Sequence, residues 1–308
     1  MIALVTGATG FIGSHLVDAL RTAGHEVRVL TRPLPVDDDL VRAPIWHGVT
    51  HLIHLAARTR APDARAFHES NVAFTERLLR AACAQPVPPR MLFVSSLAAS
   101  GPALSPTQPR TELDTPAPIE RYGASKLAAE QHVRAAACPW TIVRPPAVYG
   151  PRDRDFATVF RQLQRPLHWR ATPGWHAFTL THVHDVVSAL IAAAFRDEAV
   201  GRTYHLSGDD LTWDAFYAAV AQTQNAGRSI ALPVPSPLLS VAGIVGGLWA
   251  QLTGHTPLAT PDKIALGRAP YWLSTGAALT RDTGWVPQVA LTDGVRDTAA
   301  WYRANGWT

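Results

Sequence analysis

The chain has 308 residues, 47% of them hydrophobic and 17% charged, which excludes a disordered chain and supports a well-buried core. Its charge is mild, 28 basic against 24 acidic side chains for a net +4, with no basic run or aromatic-basic stripe, so no nucleic-acid partner is expected. Two cysteines, Cys83 and Cys138, are too few for a disulfide scaffold and read as buried side chains in a reducing, cytoplasmic setting, and the first apolar run is too short for a signal peptide.

That first run, residues 2–6, reads as a buried parallel strand. Gly7, Gly10 and Gly13 follow at once, and Ile12, Leu16, Ala19 and Leu20 then repeat at helical spacing until Gly24. Further strands are expected at 26–31, 49–57, 90–96 and 140–144, with helices at about 64–83 and 122–136 between them. Strands alternating with helices predict an α/β fold, a doubly wound parallel sheet of Rossmann type. Beyond Gly150 the pattern loosens, with strands at 178–182 and 203–207, helices at 185–195 and 213–224, and a helical, tryptophan-rich C-terminal stretch. Residues 1–170 are therefore expected to form a dinucleotide-binding domain that takes back about 182–206, and 171–308 a smaller, mostly helical substrate lobe. The apolar run 238–252 contains Gly243, Gly246 and Gly247 and falls short of the roughly 20 residues a spanning helix needs. It reads as a buried helix, with an apolar wall over a substrate or a membrane-surface contact as the alternatives.

A glycine loop between strand and helix is where the pyrophosphate of a dinucleotide rests. Glycine lets the backbone approach the phosphates, and the helix N-terminus offers free N–H groups and a positive dipole end. Gly7, Thr9, Gly10, Phe11, Ile12 and Gly13 are thus candidate cofactor contacts, the plain alternative being a tight turn with no ligand. Dinucleotide folds often end the second strand in an acid for the ribose 2′-hydroxyl, but here Thr31 and Arg32 stand there. A guanidinium suits a 2′-phosphate, which favours NADP over NAD.

Tyr122-Gly-Ala-Ser-Lys126 places a phenol and an ammonium one helical turn apart, in a chain whose only other lysine is Lys263. A phenol with a pKa near 10 is a poor acid–base at pH 7, and a nearby ammonium lowers that value. Such a tyrosine can exchange a proton with an alcohol as hydride leaves the same carbon. A third group should hold the substrate oxygen, and Ser95 and Ser96 end a parallel strand at its carboxyl end, where open α/β sheets place their sites.

The GxxGxxG spacing at Gly7, Gly10 and Gly13, together with Tyr122 and Lys126, resembles the extended short-chain dehydrogenase/reductases, which include the sugar epimerases and dehydratases. The resemblance covers nearly the whole chain. It implies Tyr122 as acid–base, Lys126 as the group that lowers its pKa and holds the nicotinamide ribose, and Ser96 as the substrate-oxygen donor, with Ser95 as the fallback. It also implies that Leu55, Ala56 and Ala57 lie along the dinucleotide, that Asn71 belongs to the cofactor site, and that Pro145 and Val148 face the nicotinamide through their backbone. A homodimer packed through the 64–83 and 122–136 helices is common in such folds. No metal is expected, because His182, His184 and Asp185 match a turn of the family and find no further ligand at sensible spacing.

Two departures matter. The segment between Arg32 and Val49 is shorter than in relatives, which carry there a helix and a strand ending in an adenine-binding Asp; Asp37, Asp38 and Asp39 either substitute or form a solvated turn. Nucleotide-sugar enzymes carry a diphosphate-binding arginine four residues before the equivalent of His182, and here that residue is Phe178. Several stretches, such as 95–102 and 144–153, look instead like the 3β-hydroxysteroid and sterol-carboxylate dehydrogenase branch. The expected function is an NAD(P)-dependent oxidoreductase interconverting a secondary alcohol and a ketone on a largely apolar, steroid- or terpenoid-like small molecule. The alternatives are a nucleotide-sugar epimerase or dehydratase with bound NAD, and a non-catalytic dinucleotide-binding protein.

Overall fold

The computed structural model describes residues 1–32, 37–224, 229–253, 257 and 260–308. Its strands in chain order are β1 (Ile2–Thr6), β2 (Glu26–Leu30), β3 (His51–His54), β4 (Arg90–Val94), β5 (Trp140–Arg144), β6 (Ala147–Tyr149), β7 (Leu167–Arg170), β8 (Ala177–His182), β9 (Arg202–His205), β10 (Asp209–Thr212), β11 (Ile230–Pro233) and β12 (Tyr271–Trp272). Six of them form the expected parallel sheet, in the order β2-β1-β3-β4-β5-β9. Its strands are nearly continuous apolar runs because both faces are covered. Ala3, Val5, Ile53, Leu92 and Val143 point to one side, against Leu16, Leu20, Val186 and Leu190 of the Phe11–Thr22 and Val183–Phe195 helices. Leu4, Leu52, Met91, Phe93 and Ile142 point to the other, against Leu78 and Ala82 of Phe74–Cys83 and Ala129 and Val133 of Arg121–Arg134. The strand order reverses at β1, which pairs with β2 on one side and β3 on the other, and ligands bind at the carboxyl ends of strands beside such a switch point.

The shortened segment has a simple structural outcome. β2 is the edge of the sheet, and a short helix, Asp37–Arg42, with a 3-10 turn, Pro44–Trp46, returns the chain to β3. Leu40 and Trp46 are buried, and the Trp46 indole donates to the Leu40 carbonyl at 2.8 Å. Asp37 accepts from Arg77 at 2.5 Å and from Arg80 at 2.8 Å, so this carboxylate fastens the segment to the Phe74–Cys83 helix instead of facing an adenine. The helix expected over 64–83 is three consecutive pieces, Ala64–Phe67, a π-helical His68–Ala73 and Phe74–Cys83. A π segment widens the backbone where functional side chains often sit, and here it carries Asn71.

Two expectations need correction. Cys83 and Cys138 are joined in a disulfide, their Cα atoms 5.2 Å apart, which ties the end of a helix to the approach to β5. The apolar run 238–252 is not a buried helix. It lies within the helix Ser236–Thr253, of which Gly243, Gly246 and Ala250 are buried, while Val241, Ile244, Val245, Leu248 and Trp249 are exposed.

The remaining strands build a second layer. β8 is flanked by β10 and β12 and also pairs with β6, and β11 pairs with β7. Its core is aromatic: Phe160, Phe178, Phe216 and Tyr302 are all nearly inaccessible.

Candidate active site

The glycine loop is as tight as a phosphate cradle requires. Gly7 has φ +75, and a Cβ there would meet the Ala56 nitrogen at 2.7 Å. A Cβ on Gly13 would stand 2.0 Å from the Gly7 carbonyl oxygen. The Gly10 N–H bonds that same oxygen at 3.0 Å, and Gly10 caps the Phe11–Thr22 helix, whose first turn holds no acidic side chain. The first N–H groups of a helix have no intrahelical partner, so Phe11, Ile12 and Gly13 present free donors while Thr9 and Gly10 are open to solvent. Leu55, Ala56 and Ala57 follow β3 directly beside this loop, with the Leu55 and Ala56 amides bonded to Thr6. These residues fit a dinucleotide pyrophosphate. A Gly13→Ala substitution should therefore abolish dinucleotide binding, read by tryptophan quenching, and cost about 1–3 kcal/mol of stability through the backbone clash.

At the end of β2, Thr31 and Arg32 are exposed. The Arg32 guanidinium lies 4.5 Å from the Phe74 ring centroid and donates to the Ser70 carbonyl at 2.7 Å. Partial burial, and after it the charge of Arg58, lower its pKa. Sequence reading missed Arg58, because the two arginines are brought together only by the sheet. Asn71 is 1% exposed, and its amide is fully engaged: Oδ1 accepts from the Arg58 N–H at 2.7 Å, and Nδ2 donates to the Arg58 carbonyl and to Ser125 Oγ. Asn71 thus positions the Arg58 backbone and the tyrosine-bearing helix.

That helix, Arg121–Arg134, begins at Glu120, whose carboxylate accepts from the Tyr122 and Gly123 N–H groups. A Cβ on Gly123 would come within 2.2 Å of the Ala98 carbonyl oxygen. The glycine therefore lets the helix press against the Leu97–Ser100 turn and brings Tyr122 to Ser96. Ser96 caps that turn, accepting from the Ala98 N–H at 3.1 Å, and remains partly exposed. Ser95 is buried and donates to Glu130 at 2.6 Å, so Ser96 is the serine left for a substrate. Pro145 is buried and its carbonyl accepts from the Leu97 N–H, while Val148, partly buried, packs against the same core cluster as Ala8 and Ile12.

Lys126 lies one turn beyond Tyr122, 2% exposed, with Nζ 4.1 Å from the centroid of the Phe93 ring. Burial drives its pKa down to about 7, opposed by Glu130. Burial pushes the half-buried Tyr122 phenol up to about 12; Glu120 adds to the rise and Ser96 opposes it. Burial, Glu120 and Ser96 set the direction for the phenol, and Lys126, itself lowered by burial, is not among these causes. A phenol so placed is a proton donor.

Beneath the site lies a charge network that sequence reading also missed. Arg144 and Glu130 are 2% and 0% exposed and form a two-pronged ion pair, Nε to Oε1 at 2.8 Å and Nη2 to Oε2 at 2.6 Å. Arg144 Nη1 donates to Ser100, which bonds His205 at 2.6 Å. The one available signal was a glutamate eight residues after Tyr122 on the same helix face. The 181–185 turn is structural: His182 caps the following helix and the Asp185 carboxylate accepts from the Gln288 and Val289 N–H groups. Among the described residues no group of metal-ligating side chains assembles.

The family described as the NAD dependent epimerase/dehydratase family matches residues 3–207. A ceramide reductase of Caulobacter vibrioides is 30% identical over 333 residues, covering 99% of this chain and 96% of its own length. A 4-hydroxy-2-methyl-3-oxo-4-farnesyl-3,4-dihydroquinoline-1-oxide ketoreductase of Stigmatella aurantiaca is 30% identical over 92% of this chain and 89% of its own. The solved structure of MoeE5 in complex with UDP-glucose and NAD shares the fold, with a TM-score of 0.77 and 24% identity over 99% of each chain.

Proposed function

Because this chain belongs to the NAD-dependent epimerase/dehydratase family, whose members are NAD(P)-dependent reductases and epimerases, we propose that it is an NADPH-dependent reductase of an apolar ketone. The observation that carries this reading is the placement of the Tyr122 phenol beside Ser96 at the carboxyl end of the parallel sheet, with Lys126 one turn along the same helix. The bound dinucleotide would supply hydride to the carbonyl carbon. Ser96 donates a hydrogen bond to the carbonyl oxygen, and Tyr122 gives it the proton that completes the alcohol. Lys126, one turn away, anchors the nicotinamide end of the site, and residues 1–170 with about 182–206 carry the cofactor while the rest encloses the substrate.

An apolar substrate is supported by Phe178. This residue is 4% exposed and packed 4.5 Å from Trp213, centroid to centroid, so the position that would hold a diphosphate-binding arginine is sealed inside an aromatic core. A sugar diphosphate needs charge-assisted hydrogen bonds that this core does not offer. The reductases named above, one of a ceramide and one of a farnesylated ring, act on substrates with long apolar parts, which supports the same class here.

Reduction of long-chain and isoprenoid ketones, followed by NADPH consumption alongside UDP-glucose as a competitor, tests the reading. Turnover of the ketones with no effect of UDP-glucose supports it. A tightly held, non-exchanging NAD with conversion of UDP-glucose would replace it with the epimerase reading. NADPH is expected to bind at least tenfold more tightly than NADH, since a charge-assisted hydrogen bond is worth about 1.5–3 kcal/mol. Arg32→Gln should remove most of that preference; equal affinities in the unaltered protein would make Arg32 a bystander.

A further inference from the structure

The helix Ser236–Thr253 is inside out for a protein in water. Its buried stripe is made of small residues, Gly243, Gly246 and Ala250, and its bulky apolar residues face solvent. At 100° per residue, Val241, Ile244, Val245, Leu248, Trp249 and Leu252 fall on one continuous arc, and each keeps more than half of its surface exposed. The small stripe is what fixes the helix to the protein. A Cβ on Gly243 would meet the Ile264 side chain at 2.2 Å, so the glycine makes room for that side chain of the Pro261–Arg268 helix.

We propose that this face docks on an anionic lipid bilayer, with the helix lying in the interface plane. Four observations favour lipid over a second copy of the chain. The face is about 27 Å long, from 18 residues at 1.5 Å each, and about 10 Å wide, a footprint well under the roughly 800 Å² per partner of a stable protein interface. The helix carries no charged side chain, whereas Lys263 and Arg268 on the helix beside it have no acidic partner within ion-pair distance among the described residues. Unpaired cations bordering an apolar surface, on a chain of net charge +4, complement an anionic membrane. Trp249 on the face and Trp169, which lines a cavity with Lys263, are exposed tryptophans of the kind that settle at headgroup depth.

Ser236–Thr253 is also the one helix among the described residues long and apolar enough to cross a membrane. Its small-residue side is packed against the protein, however, which leaves one face rather than the whole circumference for lipid, as in a helix lying in the interface plane. Ile244 and Leu248 border a recess that also contains Arg121, the residue next to Tyr122. An apolar substrate dissolved in the bilayer would thus reach a recess whose Arg121, paired there with Asp262, directly precedes the proton donor in its helix. That last step rests on the function proposed above; the docking itself does not.

Flotation of the full-length protein with vesicles of phosphatidylethanolamine and phosphatidylglycerol, and with phosphatidylcholine alone, tests the docking. The unaltered protein should float with the anionic vesicles and at least tenfold less with the neutral ones. Val245→Glu/Trp249→Glu should stay with the unbound protein, and Lys263→Gln/Arg268→Gln should lose the preference for anionic lipid. Unchanged thermal unfolding and NADPH binding would show that both variants are folded. Absence of flotation by the unaltered protein overturns the proposal, as does equal flotation of Val245→Glu/Trp249→Glu. So does a dimer, seen by light scattering, that the same variant dissociates while vesicles go unbound. Reduction of a water-soluble ketone without vesicles, unaffected by Val245→Glu/Trp249→Glu, reads the proposed function separately.

Discussion

Tyr122→Phe should lower the rate of ketone reduction by about 10²–10⁴-fold, the usual contribution of a positioned acid–base, while NADPH continues to quench tryptophan emission with unchanged affinity. The substitution removes one oxygen from a half-buried side chain whose ring lies 6.3 Å from Phe67, so packing survives. The pH dependence sharpens the test. With its pKa pushed up to about 12, the phenol is protonated throughout the working range and gives its proton in the reductive direction without titrating. In the oxidative direction the phenolate is the base, and its fraction rises about tenfold per pH unit below the pKa. Alcohol oxidation by the unaltered protein should therefore climb steadily from pH 7 to 10, and the climb should be absent in Tyr122→Phe. Unchanged reduction in the variant would remove Tyr122 from the chemistry.

Glu130→Gln should cost about 3–5 kcal/mol of stability, because it leaves the Arg144 guanidinium buried without a counter-charge. Burial raises the Glu130 carboxyl, but hydrogen bonds and charge from Arg144, with help from Ser95 and Arg134, outweigh it and hold the carboxyl below its usual range. A carboxylate with a lowered folded-state pKa stabilises the fold above its unfolded value, about 4.3, and that stability is lost as pH falls through the folded value. The unaltered protein should accordingly weaken on acidification by a step that Glu130→Gln lacks, measured by denaturant unfolding at pH 7 and below pH 4. The double variant Glu130→Leu/Arg144→Met should cost less than the two single changes summed, since a buried ion pair replaced by apolar groups is close to neutral. Full additivity would mean that the two side chains do not depend on each other.

The sequence by itself determined the sheet. Its strands are short apolar runs whose pattern is local, and five glycine, tyrosine and lysine positions, Gly7, Gly10, Gly13, Tyr122 and Lys126, carry their spacing within a few residues of one another in each motif. The choice of Ser96 over Ser95 was legible only in part: adjacent residues alternate across a strand end, and which one turns inward to Glu130 depends on a helix 35 residues away. The tertiary structure alone decided the rest. Arg58 meets Arg32 because β2 and β3 flank β1, Arg144 finds Glu130 because β5 lies under the tyrosine helix, and Cys83 meets Cys138 across 55 residues. The outward face of Ser236–Thr253 is the clearest case. Apolar composition states that a helix will be buried in something, but the partner is a property of three-dimensional packing, and here, among the described residues, the protein surface beside it takes up its small residues and leaves the large ones facing out.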